Sequence, residues 1–225
     1  MNYPFRTAAI NWLKGGDGVE FCRAMETLRE NYPPSAFYSA MNFLGTHDTV
    51  RILTALGAAH TPGSKGERAE YRLSPAEYRR GTELLRVGAA LLYTFPGSPT
   101  VYYGDECGAQ GFEDPFCRQT FPWGKEDVSL QTWFAMLGGL RNRRASLKKG
   151  ALRWHYAHGG GIVYSRALGD EITLVALNAG DSPLALSPDW EHGPVRDVFT
   201  GEDVLPAGGK LAFTVPPRTA RIFTV

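Results

Sequence analysis

Cysteine is scarce in this 225-residue chain: Cys22, Cys107 and Cys117 are an odd set of three without C-x-x-C spacing. That excludes a disulfide framework and thiolate sites of the zinc-finger kind, and the expected state is reduced thiols in a cytosolic protein. Cys107 and Cys117 bracket one loop, so a pairing between them stays open. An excess of either charge is also absent, with 24 basic against 23 acidic residues, which leaves no basic stripe for nucleic acid and no acidic tail. No apolar run approaches the ~20 residues of a bilayer span. Met1-Asn2-Tyr3-Pro4-Phe5-Arg6 lacks the basic and apolar regions of a secretory leader. Neither a membrane nor a nucleic-acid partner is expected. The acids lack the alternate-position spacing of a calcium loop, so no metal or organic cofactor is expected either.

What the chain does have is aromatics, 12% of its residues, with five Trp and ten Tyr. Most should fill a core, and some can stack on flat faces such as sugar rings. The length allows one sizeable core, or one large and one small.

The organising stretch is Met41-Asn42-Phe43-Leu44-Gly45-Thr46-His47-Asp48-Thr49-Val50-Arg51-Ile52-Leu53. An apolar run of strand length stops at a glycine, His and Asp follow, and an apolar helical pattern resumes. Polar residues just past the carboxyl end of such a strand face the open mouth of a βα sheet or barrel, where substrates sit. His47 and Asp48 are therefore the first candidates for ligand contact. The plainer alternative is that Asp48 or Thr49 caps the following helix.

In chain order, the pattern predicts a helix over residues 5–14 and a second from Asp17 to Asn31, capped by Asp17 and ended by Pro33-Pro34. A helix follows from Thr49 to about Leu56, then a polar, solvated loop over 58–74. A long helix runs from Pro75 to about Tyr93, and Thr100 to Tyr103 reads as a buried strand ending at Gly104-Asp105-Glu106. The loop over 108–127 is long and dense in chemistry, carrying Glu113, Asp114, Arg118 and Trp123, and long ordered loops tend to be functional. Ser129 is expected to cap a helix reaching Leu147. Helix, strand and acidic turn thus occur twice, the cadence of a βα barrel or doubly wound sheet. Beyond Gly150, short alternating runs separated by Gly, Pro, Asp and Asn turns read as an antiparallel β-sandwich. Two domains are expected, 1–149 and 150–225.

The segment Phe43 to Thr49 resembles the histidine–aspartate region at the seventh barrel strand of the alpha-amylase superfamily of glycoside hydrolases. Pro96 to Glu106 is similar to that superfamily's eighth strand. Asp114-Pro115-Phe116-Cys117-Arg118 with Phe121-Pro122-Trp123 resembles a loop of the neopullulanase, cyclomaltodextrinase and maltogenic amylase branch, and residues 1–6 resemble its sixth strand. The resemblance implies strands six to eight of a TIM (β/α)8 barrel followed by the sandwich. It implies that His47 and Asp48 bind the sugar being cleaved, Asp48 holding its 2- and 3-hydroxyls and stabilising the transition state. A hydrogen bond from a carboxylate to the 2-hydroxyl can strengthen as an oxocarbenium-like state forms. Asp114 and Arg118 would hold the neighbouring glucose, against the alternative of a pair that only braces the loop. Asp105 and Glu106 match a largely architectural position.

Retaining hydrolysis needs two carboxyl groups about 5–5.5 Å apart. In the family these come from the fourth and fifth strands, and no G-x-R-x-D segment occurs here. The expectation is a C-terminal portion of an α-glucan hydrolase, acting on maltodextrin, cyclodextrin or pullulan, that carries binding residues without the catalytic pair. Its partners would be an α-glucan and either the remainder of the enzyme or a second copy, since a partial barrel leaves open sheet edges. Two other readings compete: a non-catalytic glucan-binding protein, and a free-standing hydrolase pairing Asp48 with Asp105, Glu106 or Asp114.

Overall fold

A computed structural model describes all 225 residues. Helix α1 (Tyr3–Leu13) starts where Asn2 accepts the Phe5 amide and proline occupies the first turn, where its missing N–H costs nothing. Residues 1–6, likened above to a strand, therefore form none: Tyr3 to Arg6 are helical. Asn2 nevertheless lies beside the next strand, its amide donating to Met41 O at 2.8 Å. Helix α2 (Gly18–Asn31) begins under the expected Asp17 cap, whose carboxylate takes the Val19 amide at 2.9 Å. After Pro33 the chain makes one more short helix, α3 (Pro34–Ser39), rather than a simple stop.

Strand β1 (Met41–Phe43) forms where its apolar composition places it. The helix after it, α4 (Ile52–Gly57), starts later than expected, and neither Asp48 nor Thr49 caps it. The polar stretch 58–74 is not all loop: Ser64 and Glu67 form a reciprocal capping box on α5 (Lys65–Glu70). A second capping box, Ser74 with Glu77, opens the long helix α6 (Pro75–Thr94). Strand β2 (Ser98–Thr100) falls two residues before the predicted run and pairs in parallel with β1, Met41 opposite Ser98 and Phe43 opposite Thr100. Its position is fixed by buried Asn42, whose side-chain amide donates to Pro96 O at 2.7 Å. Helix α7 (Val128–Arg143) is capped by Asp127, not Ser129, and breaks at Arg144 before α8 (Ala145–Lys149).

The remainder is antiparallel. Strands β3 (Ala151–His158), β4 (Gly161–Leu168), β5 (Glu171–Asn178), β7 (Val195–Asp197), β8 (Asp203–Val204) and β10 (Thr219–Thr224) make one sheet in the order β3-β4-β5-β10-β7-β8. A separate pair, β6 (Leu184–Leu186) with β9 (Phe213–Val215), covers one of its faces.

Side chains alternate across this sheet, and both faces are buried. Val163, Leu174, Ala176 and Phe223 face the β6–β9 pair in a core of 11 buried residues. Ile162, Tyr164, Val175, Leu177 and Ile222 point the other way, into a core of 33 buried residues shared with α1, α2, α4, α6 and α7. Phe95, just past α6, is its hub: the rings of Phe5, Phe21, Phe37, Trp154 and Tyr164 all lie within 6.3 Å, centroid to centroid. No helix is long and apolar enough to cross a membrane.

Candidate functional site

The turn after β1 is built from its own threonines. Thr46 Oγ1 accepts the Asp48 amide at 3.2 Å, and the Thr46 amide donates to Thr49 Oγ1 at 3.1 Å. These local bonds replace a helix cap and leave the side chains of His47 and Asp48 more than half exposed, at 58% and 55%. His47 Nε2 stands 3.2 Å from Asp48 Oδ2.

The loop over 108–127 closes on this turn from the other side. Arg118 reaches Asp48 Oδ1 at 3.1 Å through its terminal nitrogen, donates from Nε to the His47 carbonyl at 2.9 Å, and pairs with Asp114 at 2.8 Å. Cys117, fully buried, donates its thiol to the same His47 carbonyl at 3.1 Å. So the structure brings His47, Asp48, Asp114 and Arg118 together, although 65 residues lie between Asp48 and Asp114 in sequence. All three cysteines are free, which removes the Cys107–Cys117 pairing left open above. Burial pushes the Cys107 thiol up to about 11 and raises that of Cys117, so neither is a ready nucleophile.

Beneath the site lies an arginine to which the sequence reading gave no role. Arg51 is 1% exposed, 3.2 Å from Asp105 Oδ1, hydrogen-bonded to the Tyr103 carbonyl, and its guanidinium lies over the rings of Tyr102 and Tyr103 at 4.2 and 4.7 Å. Its amide donates to Gly111 O, and the Gly111 amide donates to Thr54 Oγ1, both at 2.9 Å. Arg51 thus fastens the β1 turn to the β2 turn and to the loop. The available signal was a lone arginine inside the apolar pattern of Val50, Ile52 and Leu53.

Asp105 is buried, and desolvation pushes its carboxyl up to about 7 against the pull of Arg51. It sits under Gly45, where a Cβ would fall 2.0 Å from its Oδ2. Asp105 supports the turn from inside and does not face solvent beside Asp48. No group of three or more His, Cys, Asp or Glu side chains is placed to hold a metal ion. On the loop, Trp123 is 80% exposed and packs against Phe121 at a tilt of 50°, ring centroids 4.5 Å apart.

Parallel strands ending in a polar turn, helices against one face of an antiparallel sheet, and a strand-end Asp held by His and Arg define the closing part of a βα domain joined to an antiparallel β domain. Comparison with known proteins supplies the family. The chain is 34% identical over 205 residues, 81% of its length, to an amylopullulanase from Thermoanaerobacter thermohydrosulfuricus, of which it spans 13%. It is 31% identical over 96% of its length to neopullulanase 2 from Thermoactinomyces vulgaris, spanning 35% of that protein. A solved debranching enzyme from Nostoc punctiforme, soaked with acarbose, superposes on the whole chain with a TM-score of 0.75 at 25% identity, the match covering 46% of that structure. No family model matches. The chain belongs to the alpha-amylase superfamily of glycoside hydrolases, among relatives named amylopullulanase, neopullulanase, cyclomaltodextrinase and maltogenic amylase.

Proposed function

We propose that this chain forms the sugar-holding side of a retaining α-glucan hydrolase that cleaves α-1,4 and, in branched or pullulan-type substrates, α-1,6 bonds. In this reading residues 1–149 are the last strands and helices of a (β/α)8 barrel and 150–225 a C-terminal sandwich domain. Asp48 accepts from the vicinal hydroxyls of the sugar being cleaved and stabilises its oxocarbenium-like transition state, with His47 as a second contact to that sugar. Asp114 and Arg118 hold the next glucose.

The observation that carries the reading is the setting of Asp48. It stands at the carboxyl end of a parallel strand, more than half exposed, with one oxygen toward His47 and the other toward an arginine that also holds Asp114. A carboxylate held this way has lone pairs left for hydroxyl donors. Two of the acids weighed above do not stand free beside Asp48: Asp105 is buried against Arg51, and Asp114 is tied to Arg118. On this reading the catalytic pair comes from elsewhere in the working enzyme. Exposed Trp123 favours a second reading, a non-catalytic glucan-binding protein, because a bare indole offers a sugar ring a flat apolar face. A source gene that encodes the missing acids would decide for the enzyme.

The test is reducing-end release from γ-cyclodextrin and maltoheptaose by the purified chain, with maltoheptaose binding measured by calorimetry and Asp48→Ala run beside it. The expected outcome is no release, and binding that weakens about tenfold in Asp48→Ala, as loss of charged hydrogen bonds implies. Release that vanishes in Asp48→Ala would show instead that acids within these residues, or from a second copy, complete the site.

A further inference from the structure

We propose that the excursion over residues 58–74 is a strut that positions the 112–118 loop for its glucan unit, with Arg68 as the positioning residue. The proposal rests on the reading of Asp48, Asp114 and Arg118 as sugar ligands. Helix α5 has six residues and none of them is buried. A helix of that length does not persist in water on its own, so besides its capping box its order comes from outside contacts, and its one long-range tie, from Arg68, goes to the loop.

Three ties cross the gap. The Arg68 guanidinium pairs with Glu113, the residue before Asp114, while its Nε donates to Pro62 O at 2.9 Å and so fixes the side chain on its own side. Tyr71 packs edge-on against the buried ring of Phe112, centroids 5.3 Å apart. The Leu73 amide donates to the side-chain oxygen of Gln110 at 2.9 Å.

The strut is itself anchored. Glu77, in the first turn of 20-residue α6, accepts the Tyr71 hydroxyl at 2.6 Å and the Ala59 amide at 2.8 Å. Those donors, with Ser74, hold its carboxyl down at about 2, so the anchor stays charged across the working range. A rigid helix thus supports the excursion, the excursion supports Glu113, and Glu113 adjoins Asp114. The far side of the loop is held by different bonds, Cys117 and Arg118 to His47 O and Tyr103 to Gln119 O. Without Arg68, Glu113 beside Asp114 loses its partner and the outer side keeps only the Phe112 and Gln110 ties, while the Asp48 end keeps all of its own. Positional error at the second sugar weakens long glucans without removing Asp48-dependent contact.

The experiment compares the full chain with Arg68→Ala, Glu113→Gln and the exchanged pair Arg68→Glu/Glu113→Arg, using maltoheptaose calorimetry and amide hydrogen exchange over 112–118 and 44–49. A partly exposed ion pair of this kind is worth about 1.4-fold to fivefold in affinity. Arg68→Ala is expected to lose that much, with faster exchange over 112–118 and unchanged exchange over 44–49, and the exchanged pair is expected to recover both. Unaltered exchange and affinity in Arg68→Ala, while Asp48→Ala still loses binding, overturns the strut alone. Absence of any Asp48-dependent binding removes the sugar-ligand reading, and the strut's role falls with it.

Discussion

Single residues carry much of the site's precision. Gly45 is glycine because the Asp105 carboxylate occupies the place of a side chain, and Arg51 holds that carboxylate where it is. Gly45→Ala should destabilise the chain by about 1–3 kcal/mol, the usual cost of overpacking. Urea melts check it, and a wild-type midpoint would show that Asp105 can move aside. His155 offers a pH-dependent counterpart in the sandwich. Burial, helped by the charges of Arg153 and His192, lowers its imidazole to about 4. Its folded value lies below its unfolded value near 6.5, so the unfolded chain binds more protons between those limits. The stability it contributes is present above pH 6.5 and lost as pH falls toward 4. Relative to His155→Gln, the wild type should therefore lose about 1–2 kcal/mol between pH 7 and pH 4.5, the full shift being discounted for partial exposure. Melts of both proteins at the two pH values measure the difference.

At the scale of elements, α6 is the axis of the molecule, and its carboxyl end is closed by arginines rather than by a glycine cap. Arg141 donates to Tyr93 O at 2.8 Å and to Gly97 O at 2.5 Å. Arg166, wholly buried on β4, donates to Thr94 O at 2.8 Å and twice to Gly150 O. Burial lowers its guanidinium to about 10, so it stays charged at neutral pH, where the negative end of the helix dipole favours a cation. Arg166→Met should cost about 2–4 kcal/mol, because two buried carbonyls lose their donors. Thermal melts will test this, and a loss under 1 kcal/mol would show that water replaces the guanidinium. Phe95, where five aromatic rings meet, should be costlier: Phe95→Ala is expected to lose about 3–5 kcal/mol.

For the whole molecule, the decisive feature is that the larger core crosses from the helices into the six-stranded sheet. Ile162, Tyr164, Val175, Leu177 and Ile222 belong to the same buried cluster as Leu84, Leu91 and Phe95. The helical part and the sheet should therefore unfold together. Residues 1–149 made alone are expected to show helical circular dichroism without a cooperative melt, since α6 would expose the face it now buries. A sharp transition in that piece would mean that the helices hold their own core.

Local patterns were legible where chemistry is local. The Asp17 cap, proline at the start of α6, the apolar run of β1 and the short strands beyond Gly150 each follow from a few adjacent side chains, and so did the choice of His47 and Asp48, whereas Asp114 and Arg118 were chosen through the family resemblance. Asp127 and Ser129 are both good capping residues, and the sequence could not choose between them: Asp127 caps α7 through the Leu130 amide, while Tyr78 from another helix donates to its second oxygen at 2.8 Å. Nor could it show the order of α5, which rests on contacts to Phe112 and Glu113, or the register of β2, which buried Asn42 sets from β1. Arg51 and Arg166 meet their acceptors only when folding brings distant carbonyls and Asp105 to them. The sequence by itself determined most of the elements and the chemistry on offer. Only the tertiary structure decided which distant groups meet, because a buried charge or a six-residue helix is stable only when the rest of the chain supplies its partners.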